Sequence, residues 1–186
     1  MLNKLSEALK KYANGWLVLG LLAVWIAFNA VIMPGQQAKL EAGSGGMGPI
    51  DLQIFYTPEN VYRMIASYGA EVRASYRLFE LTGDIIYPIV YTLFFALAIT
   101  WLFQRGFAST SNMHKYNVAP LGAWLFDLFE NLGIVTMLSV FPSTPAALAW
   151  ITAIFTLTKW LSVIPAALLL LYGLVKAAMN GFKKQE

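Results

Sequence analysis

Three polar side chains lie close together within an otherwise apolar segment, residues 122–139. They are Asp127, Glu130 and Asn131, and residues three or four apart share one face of an α-helix. A carboxylate that faces lipid costs roughly 2.5 kcal/mol or more. We therefore expect this patch to face other protein or water, and to find a counter-charge on another helix.

A lysine in a different apolar segment is the expected counter-charge. Lys159 lies deep in residues 146–175, too far from either end for its ammonium group to reach water easily. Asp127 and Glu130 are its first candidate partners, followed by Asp84. The predicted ligand-binding site combines these charges with nearby hydrogen-bonding and aromatic side chains: Asp127, Glu130, Asn131, Lys159, Asp84, Glu80, Tyr87, Tyr91, Trp124 and Thr156.

The composition indicates a membrane protein. Of the 186 residues, 58% are hydrophobic and 12% are charged, whereas soluble domains have about 25% charged residues. No basic cluster alternates with aromatic residues, so we do not expect nucleic acid as a partner. The chain has no cysteine, and its one histidine, His114, falls in a short polar loop where we expect it to be exposed. Soft-metal sites need clusters of such ligands, so we expect neither a metal nor a cofactor.

Four apolar segments are each about as long as a membrane-spanning helix, which takes about 20 residues. They cover residues 16–33, 85–103, 118–140 and 146–175. We therefore predict one all-α domain over residues 1–186, an integral membrane four-helix bundle. A cleavable signal peptide is the alternative interpretation of the first segment, but no convincing small-residue cleavage site follows it.

The region between the first two spans contains a predicted amphipathic helix. Residues 34–56 include a glycine-rich run and are expected to form a loop. Thr57 and Pro58 then provide a hydroxyl cap and a first-turn proline. Apolar residues recur at helical spacing over residues 58–80, opposite a charged face, with Gly69 as a candidate break. We expect this helix to be extracytoplasmic, either on the membrane surface or across the end of the bundle.

Basic residues predict the orientation in the membrane. With four spans, one end of the bundle carries the N-terminal segment, the loop after span two and the C-terminal tail, with Lys4, Lys10, Lys11, Arg105, Lys115, Lys176, Lys183 and Lys184. The other end carries Lys39, Arg63, Arg73 and Arg77. Positive charge favours the cytoplasmic side, so we place both termini in the cytoplasm and the spans in an inner membrane.

The buried charges support several function classes. A bundle interior with a few polar groups in an apolar lining is typical of a binding pocket, here for a small amphipathic or lipid-like molecule. A series of carboxylates also suits proton- or cation-coupled transport, and a carboxyl pair suits a membrane enzyme acting on a lipid-like substrate. A purely structural charge network, in an accessory subunit, is the remaining alternative. Membrane lipid is an expected partner, and a homo-oligomer or larger membrane complex stays open.

Two segments carry a resemblance to known membrane proteins. FELTGDIIYPIVYTLFF (79–95) and WLFDLFENLG (124–133) resemble features of small, uncharacterised bacterial four-span membrane proteins. The architecture, with Phe79-Glu80-Leu81 followed by Tyr87-Pro88, also resembles the EXPERA group of sterol isomerases and sigma-2-type receptors. That likeness implies acidic side chains in the bundle that engage a ligand amine or stabilise a sterol cation. The isomerases use a histidine within a span, and this chain has none in its predicted spans.

Overall fold

Four helical stretches are long and apolar enough to cross a membrane, which confirms the all-α bundle: Gly15–Ser44, Gly69–Gly106, Asn112–Val140 and Ala146–Gly181. The computed structural model describes residues 2–183, and no β-strand occurs within them. The α-helices are α1 (Leu2–Tyr12), α2 (Gly15–Ala27), α3 (Met33–Ser44), α4 (Pro58–Ser67), α5 (Gly69–Glu80), α6 (Gly83–Gly106), α7 (Pro120–Val140) and α8 (Ala146–Lys183). Shorter helical turns cover Phe28–Ile32 (π), Ile50–Leu52 (3-10) and Asn112–Val118 (3-10).

The first span continues past the point where the sequence predicts a loop. A π-helical turn, Phe28–Ile32, joins α2 directly to α3, and its C-terminal cap bond runs from the Met33 N–H to the Phe28 carbonyl. This wider turn lets the helix pass Pro34, whose ring clashes with the preceding turn of a regular α-helix. The helix ends at Ser44 because Gly45 adopts a left-handed conformation, with φ of 70°. The predicted loop over residues 34–56 is therefore wrong up to Ser44.

The amphipathic region consists of two helices that cover one end of the bundle. Thr57 Oγ1 accepts a hydrogen bond from the Asn60 N–H (3.3 Å), so α4 begins at the predicted cap. The break falls at Gly69, whose φ of 67° is left-handed. Their apolar faces pack against α3, α7 and α8 in one core that includes Leu40, Val61, Ile65, Tyr68, Tyr76, Ile134, Met137 and Ala149.

Helix α6 is the axis on which the other spans pack. It contacts α2, α7 and α8, and α7 and α8 also pack closely on each other. The α2–α6 pair is antiparallel, because Trp25 stacks on Phe94 (5.4 Å between ring centroids) while Phe28 meets Tyr87 nearer the start of α6. Helices α2 and α8 have little contact with each other.

The segments predicted to form the basic end of the bundle lie next to one another. Gln104 Nε2 donates to the Lys10 carbonyl (2.9 Å), which fixes α1 beside the end of α6. Asn180 Nδ2 donates to the carbonyl oxygens of Arg105 and Gly106, both at 3.1 Å, which brings the end of α8 to the same place. The N-terminal helix, the segment after α6 and the end of α8 therefore lie at the end of the bundle opposite α4.

One glycine permits the close approach of α7 and α8. A Cβ atom added at Gly133 would overlap the side chain of Thr152, including its Cγ2 atom at 2.6 Å. Both residues lie in the part of the interface that positions Glu130 and Lys159. The absence of a side chain at Gly133 is therefore a packing requirement of the charged centre.

We expect Gly133→Ala to lower the midpoint of thermal unfolding in mild detergent, because overpacking of this kind costs about 1–3 kcal/mol. Gly20→Ala is the matched control, since nothing lies within 4 Å of its added Cβ. Alanine favours helix over glycine by up to about 1 kcal/mol, so the control should be neutral or stabilising. Equal shifts in the two variants would contradict this account of the interface.

Candidate functional site

Lys159 is the centre of a buried charged cluster. Its Nζ atom lies 2.5 Å from Glu130 Oε2 and 3.8 Å from Asp127 Oδ1. It also donates a hydrogen bond to the main-chain carbonyl of Asp51 (3.2 Å). The close contact with Glu130 is a buried ion pair. Lys159 thus meets both of the partners named first from the sequence.

Asp51 is the part of this cluster that the sequence analysis missed. Its carboxylate accepts a hydrogen bond from the Tyr76 hydroxyl (2.7 Å), and that hydroxyl accepts one from the Ile50 N–H (2.9 Å). The Trp160 indole donates to the Gln53 carbonyl (3.3 Å). Trp160 lies 14 residues beyond the start of α8, about 20 Å along that helix. The segment 50–55 therefore extends down beside α8 between the spans.

Backbone that is not part of a spanning helix is tolerated at this depth only where it is buried in protein or lines a cavity. Ile50 is fully buried, and Asp51 is 8% exposed. A signal for this arrangement existed in the sequence, since Asp51 is surrounded by the apolar residues Ile50, Leu52 and Ile54. An acidic residue in so apolar a loop indicates a buried position.

Helix α7 connects the charged centre to α6. The Tyr91 hydroxyl donates to Asp127 Oδ2 (2.8 Å), and Asn131 Nδ2 donates to the main-chain carbonyl of Asp84 (2.7 Å). Asp127 and Asn131 are one turn apart on α7, so both bonds come from the face predicted to be polar. Tyr91 is two turns after Asp84 on α6, which brings its hydroxyl to the deeper carboxylate.

The site contains more acidic groups than its lysine neutralises. The buried carboxyl groups are Asp51, Glu80, Asp84, Asp127 and Glu130. Lys159 is the one cation within ion-pair distance of any of them among residues 2–181, whose side chains the structure describes. Glu80 Oε2 and Glu130 Oε1 are buried without a hydrogen-bond partner in this part of the chain. Buried charge is costly unless it is paired, so the site suits an additional cation or hydrogen-bond donor.

A pocket of about 280 Å³ adjoins this cluster. Its walls come from the first span, α6, α7, α8 and the segment around Asp51: Trp25, Asn29, Met33, Asp51, Leu52, Asp84, Tyr87, Tyr91, Phe95, Asp127, Lys159, Trp160 and Val163. Aromatic rings form much of the lining, and three carboxylates and one ammonium form its charged part. Because α2 and α8 hardly touch, the gap between them borders the pocket.

The ten predicted site residues divide into three groups. Five of them line the pocket: Asp84, Tyr87, Tyr91, Asp127 and Lys159. Glu130 and Asn131 lie behind that lining and hold Lys159 and the Asp84 backbone. Glu80, Trp124 and Thr156 lie away from it, with the Thr156 hydroxyl 3.4 Å from that of Tyr56.

His114 is buried, which corrects the expectation that it would be exposed. Its side chain is enclosed by α1 and the 3-10 helix Asn112–Val118, with 4% of its surface exposed. Nε2 lies 3.0 Å from the Ala108 carbonyl, and Ser6 donates to the main-chain carbonyl of His114 (3.2 Å). The polar loop is held in place by these bonds to α1, so its histidine turns inward.

No protein-family model, curated protein or solved structure matches this chain. The chemistry of the site is therefore inferred from its own geometry.

A double-mutant cycle on Lys159→Met and Glu130→Gln tests the charged centre. Lys159→Met leaves Glu130 buried without its counter-charge, which destabilises by about 3–5 kcal/mol, whereas Glu130→Gln leaves Lys159 with only the more distant Asp127 and should cost less. The double variant should unfold in mild detergent at a higher temperature than the sum of the two single losses predicts, because it removes both charges together.

The exposed pair Lys10–Glu7, with Nζ 2.8 Å from Oε1, provides the control cycle. Lys10→Met and Glu7→Gln should show a coupling of only about 0–1 kcal/mol, because water screens this pair. Strict additivity at Lys159 and Glu130 would mean that the two groups do not interact in the folded protein.

Proposed function

We propose that the chain is a multi-pass protein of a bacterial inner membrane that binds a small amphipathic molecule in the pocket between α2, α6 and α8. The ligand's positively charged group contacts Asp84 and Asp127, and its apolar body lies among Trp25, Phe95 and Trp160. The observation that carries this proposal is the pocket itself, which combines aromatic walls with more carboxylates than Lys159 neutralises.

The different surroundings of Asp84 and Lys159 support the proposed position of the ligand's positive charge. Lys159 is occupied by Glu130, Asp127 and the Asp51 carbonyl. The Asp84 carboxylate faces the pocket and accepts no hydrogen bond from residues 2–183. A cation bound there would also lie near the rings of Tyr87 and Tyr91, which favour positive charge through cation–π attraction.

The route of entry follows from how α2 is held. No residue of α2 is buried, and this helix packs against α6 with little contact to α8. A molecule dissolved in the lipid layer therefore reaches the pocket sideways between α2 and α8, past Trp25 and Trp160. Lateral entry suits an amphipathic ligand, because its apolar part never has to cross water.

The orientation we propose places the basic end in the cytoplasm, according to the positive-inside rule. Lys10, Arg105, Lys115 and Lys176 are all near that end. Helices α4 and α5 then lie outside the cytoplasm, and the pocket is in the half of the bundle nearer to them.

The loop before α4 is held to this end of the bundle by a tyrosine. Burial raises the pKa of Tyr68, which stays protonated and donates to the Gly48 carbonyl (2.8 Å).

Binding of dodecylamine and dodecanol to the full chain in phosphatidylcholine nanodiscs tests the proposal. The two probes have the same apolar chain and differ in the charge of the head group. We expect the amine to raise the midpoint of thermal unfolding and the alcohol to do so far less. Asp84→Asn should weaken amine binding by about tenfold or more, because the buried charge pair is lost.

Two further variants distinguish the effect of charge on binding from the effect of pocket volume. Glu71→Gln removes an exposed carboxylate outside the pocket and should leave amine binding unchanged. Val163→Phe changes no charge but narrows the pocket, and it should weaken binding of the amine. Equal binding of amine and alcohol, or full amine binding by Asp84→Asn, would refute the proposed position of the ligand's charge.

A second candidate function, proton movement, is favoured by a specific chain of groups. A small cavity of about 40 Å³ lies beside Asp51, lined also by Tyr76 and Gln36 towards the α4 end. The Asp51 carboxylate also lines the larger pocket together with Lys159 and Asp127, and Lys159 in turn contacts Glu130. Carboxylate chains of this kind occur in proton relays.

Proteoliposomes that contain a pH-sensitive dye separate the two candidates. A potassium gradient with valinomycin supplies the membrane potential. The relay predicts proton flux that is lost in Glu130→Gln and retained in Glu71→Gln. The binding proposal predicts flux no greater than that of vesicles without protein.

A further inference from the structure

A second polar pocket lies at the opposite, basic end of the bundle. It is an open pocket with a volume of about 290 Å³, between α1 and the segment that follows α6. Its lining is hydrophilic: Asn3, Ser6, Glu7, Lys10, Ser109, Thr110, Ser111, Asn112, His114 and Lys115. A neighbouring cavity of about 190 Å³ shares Lys10, Ser109 and His114 with it and adds Gln104 and Phe107.

The lining provides an excess of hydrogen-bond donors and positive charge. Lys10 and Lys115 contribute two ammonium groups, and Glu7 contributes the one carboxylate, which Lys10 already pairs at 2.8 Å. The hydroxyl groups of Ser109 and Thr110 and the side-chain amide of Asn112 add neutral donors. Ammonium, hydroxyl and amide donors that converge on one space suit the oxygen atoms of a phosphate group.

His114 gives an independent indication of a missing partner. It is 4% exposed and lines both cavities, and its Nδ1 atom has no hydrogen-bond partner among residues 2–183. A phosphate oxygen accepts hydrogen bonds, so it pairs with Nδ1 when both ring nitrogens carry a proton; Nε2 then donates to the Ala108 carbonyl at 3.0 Å. Buried polar atoms are nearly always satisfied, so an unsatisfied nitrogen beside a basic pocket indicates a ligand that the chain itself does not supply.

We infer that this pocket binds a phosphate group, carried by the head group of an anionic phospholipid or free in the water. The position fits either source, because α1 is an amphipathic helix with Leu2, Leu5 and Tyr12 exposed along one side. Such helices lie in the membrane interface, and basic pockets beside spans bind anionic head groups. The inference concerns the end of the bundle away from the acidic pocket and does not depend on the proposed function.

Native mass spectrometry of the full chain in mild detergent tests this inference with three probes. Phosphatidylglycerol and phosphatidylcholine of equal chain length distinguish an anionic from a zwitterionic head group. Inorganic phosphate, compared with chloride at equal ionic strength, tests the free anion through the midpoint of thermal unfolding. We expect the protein to retain phosphatidylglycerol in preference to phosphatidylcholine, or to be stabilised by inorganic phosphate.

A pair of double variants locates the binding. Lys10→Gln with Lys115→Gln removes both ammonium groups from the pocket, and binding should weaken by about tenfold or more. Lys4→Gln with Lys39→Gln removes the same charge from exposed positions outside it, and binding should be unchanged. The midpoint of unfolding without ligand checks that both variants are folded.

Each outcome decides the inference. Phosphatidylglycerol binding that only the pocket variant loses supports a lipid head group, and stabilisation by inorganic phosphate that only the pocket variant loses supports the free anion. Equal losses in the two double variants would show general attraction of anions to a basic surface and overturn the inference. Absence of binding by both phosphate probes would overturn it as well.

Discussion

The buried ammonium group of Lys159 is the constraint on which the arrangement of the bundle depends. It lies 13 residues into α8, about 20 Å along the helix, so it must find its partners inside the protein. Glu130 and Asp127 from α7 and the carbonyl of Asp51 provide them. These contacts fix the register of α7 against α8, and Gly133 permits the close approach that they require. The same contacts bring the segment 50–55 down between the spans.

The charged centre contains more carboxyl groups than the packing of α7 against α8 requires. A simple structural pair would be satisfied by one acid and one base, whereas five acids are buried in the bundle and Lys159 forms ion pairs with two of them. Tyr91 and Tyr76 each stabilise one carboxylate, at Asp127 and Asp51 respectively. All three of Asp51, Asp84 and Asp127 line the pocket, and Asp84 lacks such a tyrosine partner. This pocket-lining acid without a tyrosine partner is what favours a ligand over a purely structural network.

The spans and the charged face of α7 could be predicted because both follow from local pattern. Apolar length identifies a span, and the spacing of Asp127, Glu130 and Asn131 places them on one face whatever the fold. The role of Asp51 depends on a long-range contact with Tyr76 and Lys159 that no local pattern contains. The helix past Pro34 was missed for a different reason, since a π-helical turn accommodates a proline that local rules treat as a break.

The first span is the least enclosed part of the bundle, and it forms a wall of the acidic pocket. Its residues contact α6 through rings, with Trp25 on Phe94 and Phe28 on Tyr87, and through the hydrogen bond from Tyr87 to Asn29 (3.1 Å). No residue of α2 is buried, so little apolar packing resists its displacement, whereas α7 and α8 are held by buried charges. Regions with few buried contacts open at the lowest free energy. This wall of the acidic pocket can therefore move without disturbing the buried charges on α7 and α8.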